Sequence, residues 1–262
     1  MSSNGADGTS TNGGGDSKPE IILYTNHQCP WAHRGHIALK ELGLPFKEVI
    51  IDLDKPREPW YLEINPRGLV PSIKYNNHII TESAIVTQFL ADAHPAQLLP
   101  PTTSPSNALF RARVAFFVDA FISKVLPKIF AAQTQRAEDK DADTAARDIV
   151  AAVAKELEPL FTWDISSSSP FFGGSNRLTL AEVQTASFLI RLLSFSKPEH
   201  NLLSPHLNTL LAEQTPKFTA WARQVVQQPS VTDIWDERTV VERTKARIAK
   251  LAAAAAAEEA KK

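Results

Sequence analysis

Residues 21–43 read IILYTNHQCPWAHRGHIALKELG and contain Cys29, the only cysteine among 262 residues. The apolar start has the length of a buried strand. The segment after it predicts a helix, because Pro30 fits the first helical position and Gly43 fits the stop. FKEVIIDL, residues 46–53, then reads as a second strand. Two strands joined through a helix favour parallel pairing, so the chain is predicted to open as a β-α-β unit.

The following segments extend this unit to a small α/β domain over residues 20–94. VPSIKY and HIIT are short strands on either side of Asn76-Asn77, a pair typical of a tight hairpin turn. ESAIVTQFLADAH, directly after them, shows the apolar spacing of a helix that lies on a sheet. We therefore predict a mixed sheet covered by helices.

The remainder of the chain predicts a helical domain. A Pro-rich linker covers residues 95–106, and the apolar residues of 107–240 follow helical spacing. LTLAEV, which begins at Leu178, predicts a capping box, in which Thr179 and Glu182 bond each other's backbone at a helix start.

Both ends of the chain differ from these domains in composition. Residues 1–19 are Gly-rich and polar, so we predict a disordered tail. Residues 241–262 are Ala-rich and predict a helical tail, which is marginally stable when isolated.

The composition excludes several classes of partner. Lys and Arg number 28 against 29 Asp and Glu, so no charge excess indicates nucleic acid or an anionic membrane. The sequence shows no apolar run of about 20 residues, the length that spans a membrane, and no secretion signal. One cysteine cannot form an internal disulfide. We expect a cytoplasmic protein with a small-molecule partner.

Cys29 is a candidate nucleophile because it precedes a helix. At the N-cap its sulfur faces free N–H groups and the positive end of the helix dipole, which favour the thiolate, and Arg34 follows one turn later. Ala32 occupies the second position of a dithiol motif, so an outside thiol such as glutathione must complete a redox cycle. The alternative is a buried, inert cysteine.

Three further stretches fit the charged groups of glutathione. Glu82 and Ser83 open a helix and could hold an α-amino acid head group, or they could merely satisfy the helix end. A cis bond before Pro71 would free the Val70 backbone to pair with an extended peptide. Lys55 could face a remaining carboxylate, although a solvated surface lysine fits equally well.

Histidines 27, 33 and 36 crowd the same region. His33 and His36 share a helix face, but with Cys29 as the third candidate they lack a recognised ligand frame, so we expect no metal. His27 or His33 could instead tune Cys29, and the sequence does not distinguish between them.

Four motifs in order resemble the cytosolic glutathione transferases of the cysteine, omega-like type. They are CPWAHR from Cys29, NPRGLVPSI from Asn65, TESAIVTQFL from Thr81 and LTLAEV from Leu178. CPWAHR is also similar to the motif of the glutathionyl-hydroquinone reductases. The resemblance covers about residues 20–235. It implies a thioredoxin-like N-terminal domain packed on an all-α C-terminal domain, commonly in a homodimer.

The resemblance also implies a role for individual residues. Cys29 would be catalytic, forming a mixed disulfide with glutathione. The implied glutathione-binding residues are Cys29, Pro30, Trp31, Lys55, Val70, Pro71, Glu82 and Ser83. A second-substrate pocket is expected between the domains, against the helix near residues 107–130. The candidate residues on this helix are Phe110, Arg113, Phe116 and Phe117.

The expected activity is glutathione-dependent thiol transfer or reductive deglutathionylation. Conjugation of glutathione to an electrophile, or glutathione-dependent isomerisation, is an alternative in which Cys29 need not be modified. A third reading is a non-catalytic binding or regulatory protein with this fold. The sequence does not identify the second substrate.

Overall fold

The sheet is mixed and has four strands. The computed structural model describes residues 19–95, 97–137, 141–166 and 168–259, so residues 1–18 of the tail predicted for 1–19 lie outside the described residues. The strands are β1 (Ile21–Thr25), β2 (Lys47–Ile50), β3 (Ser72–Tyr75) and β4 (His78–Thr81). Their order is β2-β1-β3-β4, with β2 parallel to β1, and β3 antiparallel to both β1 and β4. The predicted parallel unit and the hairpin are confirmed.

Helices surround this sheet and form nearly all of the structure after it. Three of them belong to the sheet-containing part, namely α1 (Pro30–Glu41), α2 (Pro59–Ile64) and α3 (Ser83–Ala93). The others are α4 (Pro105–Ala120), α5 (Leu126–Ala137), α6 (Ala142–Glu156), α7 (Leu180–Phe195), α8 (Leu207–Gln214), α9 (Pro216–Val225), α10 (Pro229–Thr232) and α11 (Glu237–Glu259). A π turn, Phe121–Val125, joins α4 to α5. Among the described residues, every helix is too short or too polar to cross a membrane.

Helix α7 is the centre of the helical part. Nearly all of its residues are buried, and α1, α3, α4 and α9 pack around it. The predicted capping box is present, because the Thr179 hydroxyl accepts from the Ala181 N–H (3.2 Å) and the Thr179 N–H donates to the Glu182 carboxylate (2.8 Å). The same carboxylate accepts from the N–H of Phe172 and from Nε1 of Trp221, both at 2.7 Å. Glu182 therefore joins the helix start to two other segments.

The C-terminal helix crosses the boundary predicted at residue 240. Val240 and Val241 in α11 are buried in the core, whereas the Ala-rich second half of the helix is exposed. The two buried valines dock the first turns of α11 on the core. The Ala-rich tail therefore continues a packed helix and does not have to form as an isolated one.

We predict that Glu182→Gln lowers the free energy of unfolding by roughly 2–4 kcal/mol, because an amide NH₂ would face donors that now share a buried carboxylate. Urea unfolding followed by circular dichroism measures it. Glu242→Gln is the matched control, since that carboxylate pairs with Arg238 on the exposed surface of α11, where such pairs contribute about 0.5 kcal/mol. Equal stability of the two variants would contradict the role of Glu182.

Candidate active site

Cys29 is the N-cap residue of α1, as the sequence predicts. Its backbone is extended (φ −81°, ψ 120°), Pro30 occupies the first turn, and the side chain is partly exposed. The Cys29 carbonyl accepts from the N–H of His33 (3.1 Å), while the sulfur makes no capping hydrogen bond. The thiol therefore lies at the positive end of the helix dipole and is not engaged in a hydrogen bond that caps the helix.

The loop before Cys29 is held by Asn26. Its side-chain amide donates to the carbonyl of Ile51 (3.0 Å), and its Oδ1 accepts from the N–H of Gln28 (3.1 Å). The Asn26 carbonyl also accepts from the N–H of Cys29 (3.1 Å). One buried side chain thus fixes the loop against the end of β2.

Arg191 on α7 brings a buried positive charge to this loop. Its guanidinium donates to the carbonyls of Ser187 (2.7 Å) and Gln28 (3.1 Å). Burial lowers the pKa of Arg191 to about 10, and the nearby negative charge of a Cys29 thiolate opposes this shift. Arg191 stays charged at neutral pH and places a positive charge beside the loop that carries the thiol.

Arg34 is a second buried cation, on α1 itself. Its guanidinium lies 4.7 Å from the ring centre of Trp31 and 5.0 Å from that of Phe188, and Nη1 donates to the Ser83 hydroxyl (3.2 Å). Nε and Nη2 make no hydrogen bond with any residue that the structure describes. Burial lowers the pKa of Arg34 to about 9, so the side chain remains largely protonated at neutral pH.

A cavity of about 1050 Å³ opens beside Cys29 and reaches from the sheet-containing part to α4 and α7. Six of the eight predicted glutathione-binding residues line it, and they are Cys29, Trp31, Val70, Pro71, Glu82 and Ser83. The Val70-Pro71 peptide bond is cis. Pro30 lies beside this group in the first turn of α1.

Glu82 and Ser83 meet the cavity at the start of α3. Glu82 is the N-cap residue and has a positive φ of 68°. Its carboxylate forms an ion pair with Arg67, and the Ser83 hydroxyl accepts from Arg34. The pair thus presents a carboxylate, a hydroxyl and a helix N-terminus at one point of the wall, a combination that suits an amino-acid head group.

Lys55 lies apart from the other predicted glutathione-binding residues. Its side chain is 80% exposed, and its ammonium pairs with Asp52 at 3.3 Å. Arg57, two residues further on, lines the cavity instead. Its guanidinium donates to the carbonyls of Gly68 (2.8 Å), Asp52 (2.7 Å) and Lys55 (2.6 Å), so it clamps the irregular segment before α2.

The second-substrate candidates on α4 face away from this cavity. Phe110, Arg113 and Phe116 line a different cavity of about 560 Å³, and Phe117 is fully buried in the core. Because successive helical residues are rotated by about 100°, an error of one residue in register selects another face. The residues of α4 and of the π turn after it that line the cavity beside Cys29 are Arg111, Val114, Ala115, Val118, Asp119 and Ile122.

The three histidines near Cys29 have different environments. His33 is fully buried, with Nδ1 3.4 Å from Nη1 of Arg191, and burial lowers its pKa well below the usual value. His36 is also buried, which lowers its pKa to about 4. His27 is partly exposed and contacts Glu48 (3.0 Å). His33 therefore contacts the Arg191 guanidinium that holds the Cys29 loop.

Comparison with known proteins agrees with this geometry. Residues 28–93 match the family described as glutathione S-transferase, N-terminal domain. The chain is 28% identical over 211 residues to glutathione S-transferase omega-1 of Mus musculus, covering 80% of this chain and 78% of that protein. The crystal structure of glutathione transferase Omega 2C from Trametes versicolor superimposes with a TM-score of 0.72 at 27% identity, covering 88% of this chain and 99% of that chain.

The chain is similar to omega-class glutathione transferases over most of its length. Omega 1C from T. versicolor gives the same TM-score of 0.72 at 25% identity, with 89% of this chain and 98% of that chain covered. The fold is thus the glutathione transferase fold predicted from the sequence, with a thioredoxin-like sheet domain and a helical C-terminal part.

Two arginines that bind the loop before Cys29 were not identified from the sequence. Arg191 is the one charged residue in the apolar run TASFLIRLLSF of α7, and this isolation is a usable signal for a buried functional charge. Arg243 on α11 donates to the side chain of Gln28 (2.9 Å) and to Asp54 (3.0 Å). It lies in a charged segment without such a signal, so only the packing of α11 identifies it.

We predict that Arg191→Gln slows alkylation of Cys29 by iodoacetamide at pH 7 roughly three- to tenfold, because a nearby positive charge favours the thiolate. Labelling followed by mass spectrometry measures the rate, and each variant's thermal midpoint confirms that it is folded. Arg223→Gln, on an exposed position of α9, is the control. An unchanged rate in folded Arg191→Gln would show that this charge does not act on the thiol.

Proposed function

We propose that this glutathione transferase catalyses glutathione-dependent thiol transfer and reductive deglutathionylation with Cys29 as nucleophile. The observation that carries the proposal is the position of Cys29, which caps α1 without a capping bond and lines the large cavity. Arg191 adds a buried positive charge beside it. A thiolate with free access to a substrate cavity is the state needed for thiol exchange.

The proposed cycle has two exchange steps. The Cys29 thiolate attacks the glutathionyl sulfur of a mixed disulfide, a Cys29–glutathione disulfide forms, and the substrate leaves as a thiolate that takes up a proton. A second glutathione thiolate then attacks that disulfide on the glutathionyl sulfur, releasing oxidised glutathione and restoring Cys29. The second glutathione is required because the sequence contains one cysteine and cannot resolve the disulfide internally.

The proposed glutathione site is the cavity wall around Cys29. Glu82 and Ser83 would hold the γ-glutamyl head group, and the Val70 backbone beside Pro71 would pair with the cysteinyl unit. Arg34 supports this assignment, because it donates to Ser83 and has further donors without protein partners. Lys55 would reach the glycyl carboxylate only after leaving Asp52, which makes it the least supported of the proposed contacts.

Conjugation of glutathione to an apolar electrophile is the second candidate. The size of the cavity favours it, since about 1050 Å³ exceeds the volume needed for glutathione alone. Its far wall is mainly aliphatic, with Leu99, Val114, Val118 and Ile122. In this reaction Cys29 would stay unmodified, so the two candidates differ in whether the thiol becomes covalently linked to glutathione.

We further propose that the protein acts in the cytoplasm as a homodimer. Thiol exchange that consumes reduced glutathione suits a reducing compartment. More than half of the surface of Ile85 on α3, and of Leu109 and Phe116 on α4, is exposed. Large apolar side chains that are exposed to solvent are typical of surfaces that a partner covers.

Incubation with oxidised glutathione tests the covalent step directly. We expect the wild type to gain about 305 Da, the mass of one glutathionyl group replacing a proton, and Cys29→Ser to remain unmodified. Intact-protein mass spectrometry measures this, and reduction of hydroxyethyl disulfide by glutathione measures turnover, which Cys29→Ser should lose.

Two outcomes would contradict the thiol-transfer proposal. If the wild type binds glutathione but is never modified, conjugation becomes the better assignment. If Cys29→Ser reduces the disulfide as fast as the wild type, Cys29 is not the nucleophile. Cys29→Ser should keep the thermal midpoint of the wild type, since the side chain is partly exposed and makes no capping bond.

Glu82→Gln is expected to raise the glutathione concentration needed for half-maximal rate by about tenfold or more, because a charge-assisted bond to an ammonium is lost. Steady-state kinetics measure it. Arg67→Gln removes the ion pair of Glu82 but keeps the carboxylate, so it should bind glutathione almost normally. If both variants weaken binding equally, Glu82 acts by shaping the loop and does not contact the ligand.

A further inference from the structure

Two histidines and a glutamate from successive elements converge beside β2. His27 lies in the loop between β1 and α1, His36 on α1 and Glu48 on β2. One potential ligand atom from each of the three side chains lies within 4.8 Å of the other two. In the described part of the chain, this is the one group of three potential metal-ligating side chains with such spacing.

Glu48 approaches both imidazoles, with a different carboxylate oxygen toward each. Nε2 of His27 lies 3.0 Å from Oε2 of Glu48, and Nδ1 of His36 lies 3.3 Å from Oε1. Ligand atoms at zinc bond lengths of about 2.0–2.1 Å are separated by about 3.3 Å in a tetrahedron. Both separations are close to this value, so Glu48 lies near enough to each imidazole to share an ion with it.

The buried Nδ1 of His36 has no hydrogen-bond partner among the described residues. Nδ1 makes no hydrogen bond, although the side chain is only 1% exposed and Glu48 lies beside it. With the ring proton on Nε2, Nδ1 presents a lone pair toward that carboxylate. A buried lone pair next to a carboxylate is unfavourable unless a cation lies between them.

The other nitrogen of His36 has the outer partner expected of a metal ligand. Nε2 lies 2.8 Å from the hydroxyl of Thr25 at the end of β1. The tautomer that donates from Nε2 to Thr25 directs the Nδ1 lone pair at Glu48. A hydrogen bond that fixes the ring and tautomer of a histidine is the usual support of a bound metal.

We propose that His27, His36 and Glu48 form a zinc site, with the fourth position open to solvent. The side chains of His27 and Glu48 are 39% and 31% exposed, which leaves a path for the ion. Two imidazoles favour Zn²⁺ over Mg²⁺, which prefers oxygen ligands. Because His27 precedes Cys29 by two residues, the bound ion would tie the loop of the thiol to α1 and β2.

Zinc titration of the full-length protein, freed of metal with a chelator, tests the proposal. A chromophoric chelator as competitor gives stoichiometry and affinity. We expect one equivalent to bind, and His27→Asn and Glu48→Gln each to weaken binding at least about tenfold, because each removes one of three ligands. The thermal midpoint should rise with zinc in the wild type and much less in these variants.

Two variants separate this site from other zinc ligands in the chain. His206→Asn removes the imidazole of the exposed His206–Asp143 pair and should bind zinc as the wild type does. Cys29→Ser should also retain the bound equivalent. The proposal is overturned if Cys29→Ser abolishes binding while His27→Asn preserves it, if Mg²⁺ displaces zinc at equal concentration, or if the wild type binds no zinc. None of these readouts depends on glutathione chemistry.

Discussion

The packing of α1 against α7 is the contact on which the site depends. Cys29 lies at the N-terminus of α1, and α7 is buried along nearly its whole length. Burial of apolar surface joins the two helices, and because this force has no direction, it does not by itself fix the loop that carries the thiol. Arg191 supplies the directional part, since its guanidinium reaches from α7 to the carbonyl of Gln28 (3.1 Å).

This arrangement places two positive charges where apolar packing is otherwise dominant. Burial lowers the pKa of Arg34 to about 9 and that of Arg191 to about 10. Neither has a carboxylate partner among the described ion pairs. Arg34 lines the same cavity as Cys29, and Arg191 donates to the carbonyl of Gln28 in the loop before Cys29. Buried cations without carboxylate partners cost folding free energy. Anionic species, either a thiolate or a ligand carboxylate, would offset that cost, which is why these charges fit a site for glutathione.

Local sequence signals predicted the frame of the molecule well. Pro30 and Gly43 bound α1, Asn76-Asn77 forms the hairpin, and Thr179 with Glu182 caps α7, because each signal acts within a few residues. The sequence was a poorer guide to which face of a helix lines the cavity. Phe110 and Phe116 turned out to line another cavity, since apolar spacing identifies an amphipathic helix but two apolar faces of α4 contact different neighbours.

Side chains that meet across elements were also beyond the sequence. The spacing of His33 and His36 drew attention to a shared helix face, yet His36 meets His27 and Glu48, which come from a loop and from β2. Register between parallel strands decides that meeting, and no local pattern encodes it.

The sequence by itself determined that the chain has a cysteine at the N-cap of a helix, a βαβ unit at its start and a helical second half. It could do so because capping, turn and periodicity rules are local. Only the tertiary structure decided which charges surround Cys29, which face of α4 lines the cavity and which histidines share a carboxylate. Those relations join residues far apart in the chain, and they follow from how whole elements pack.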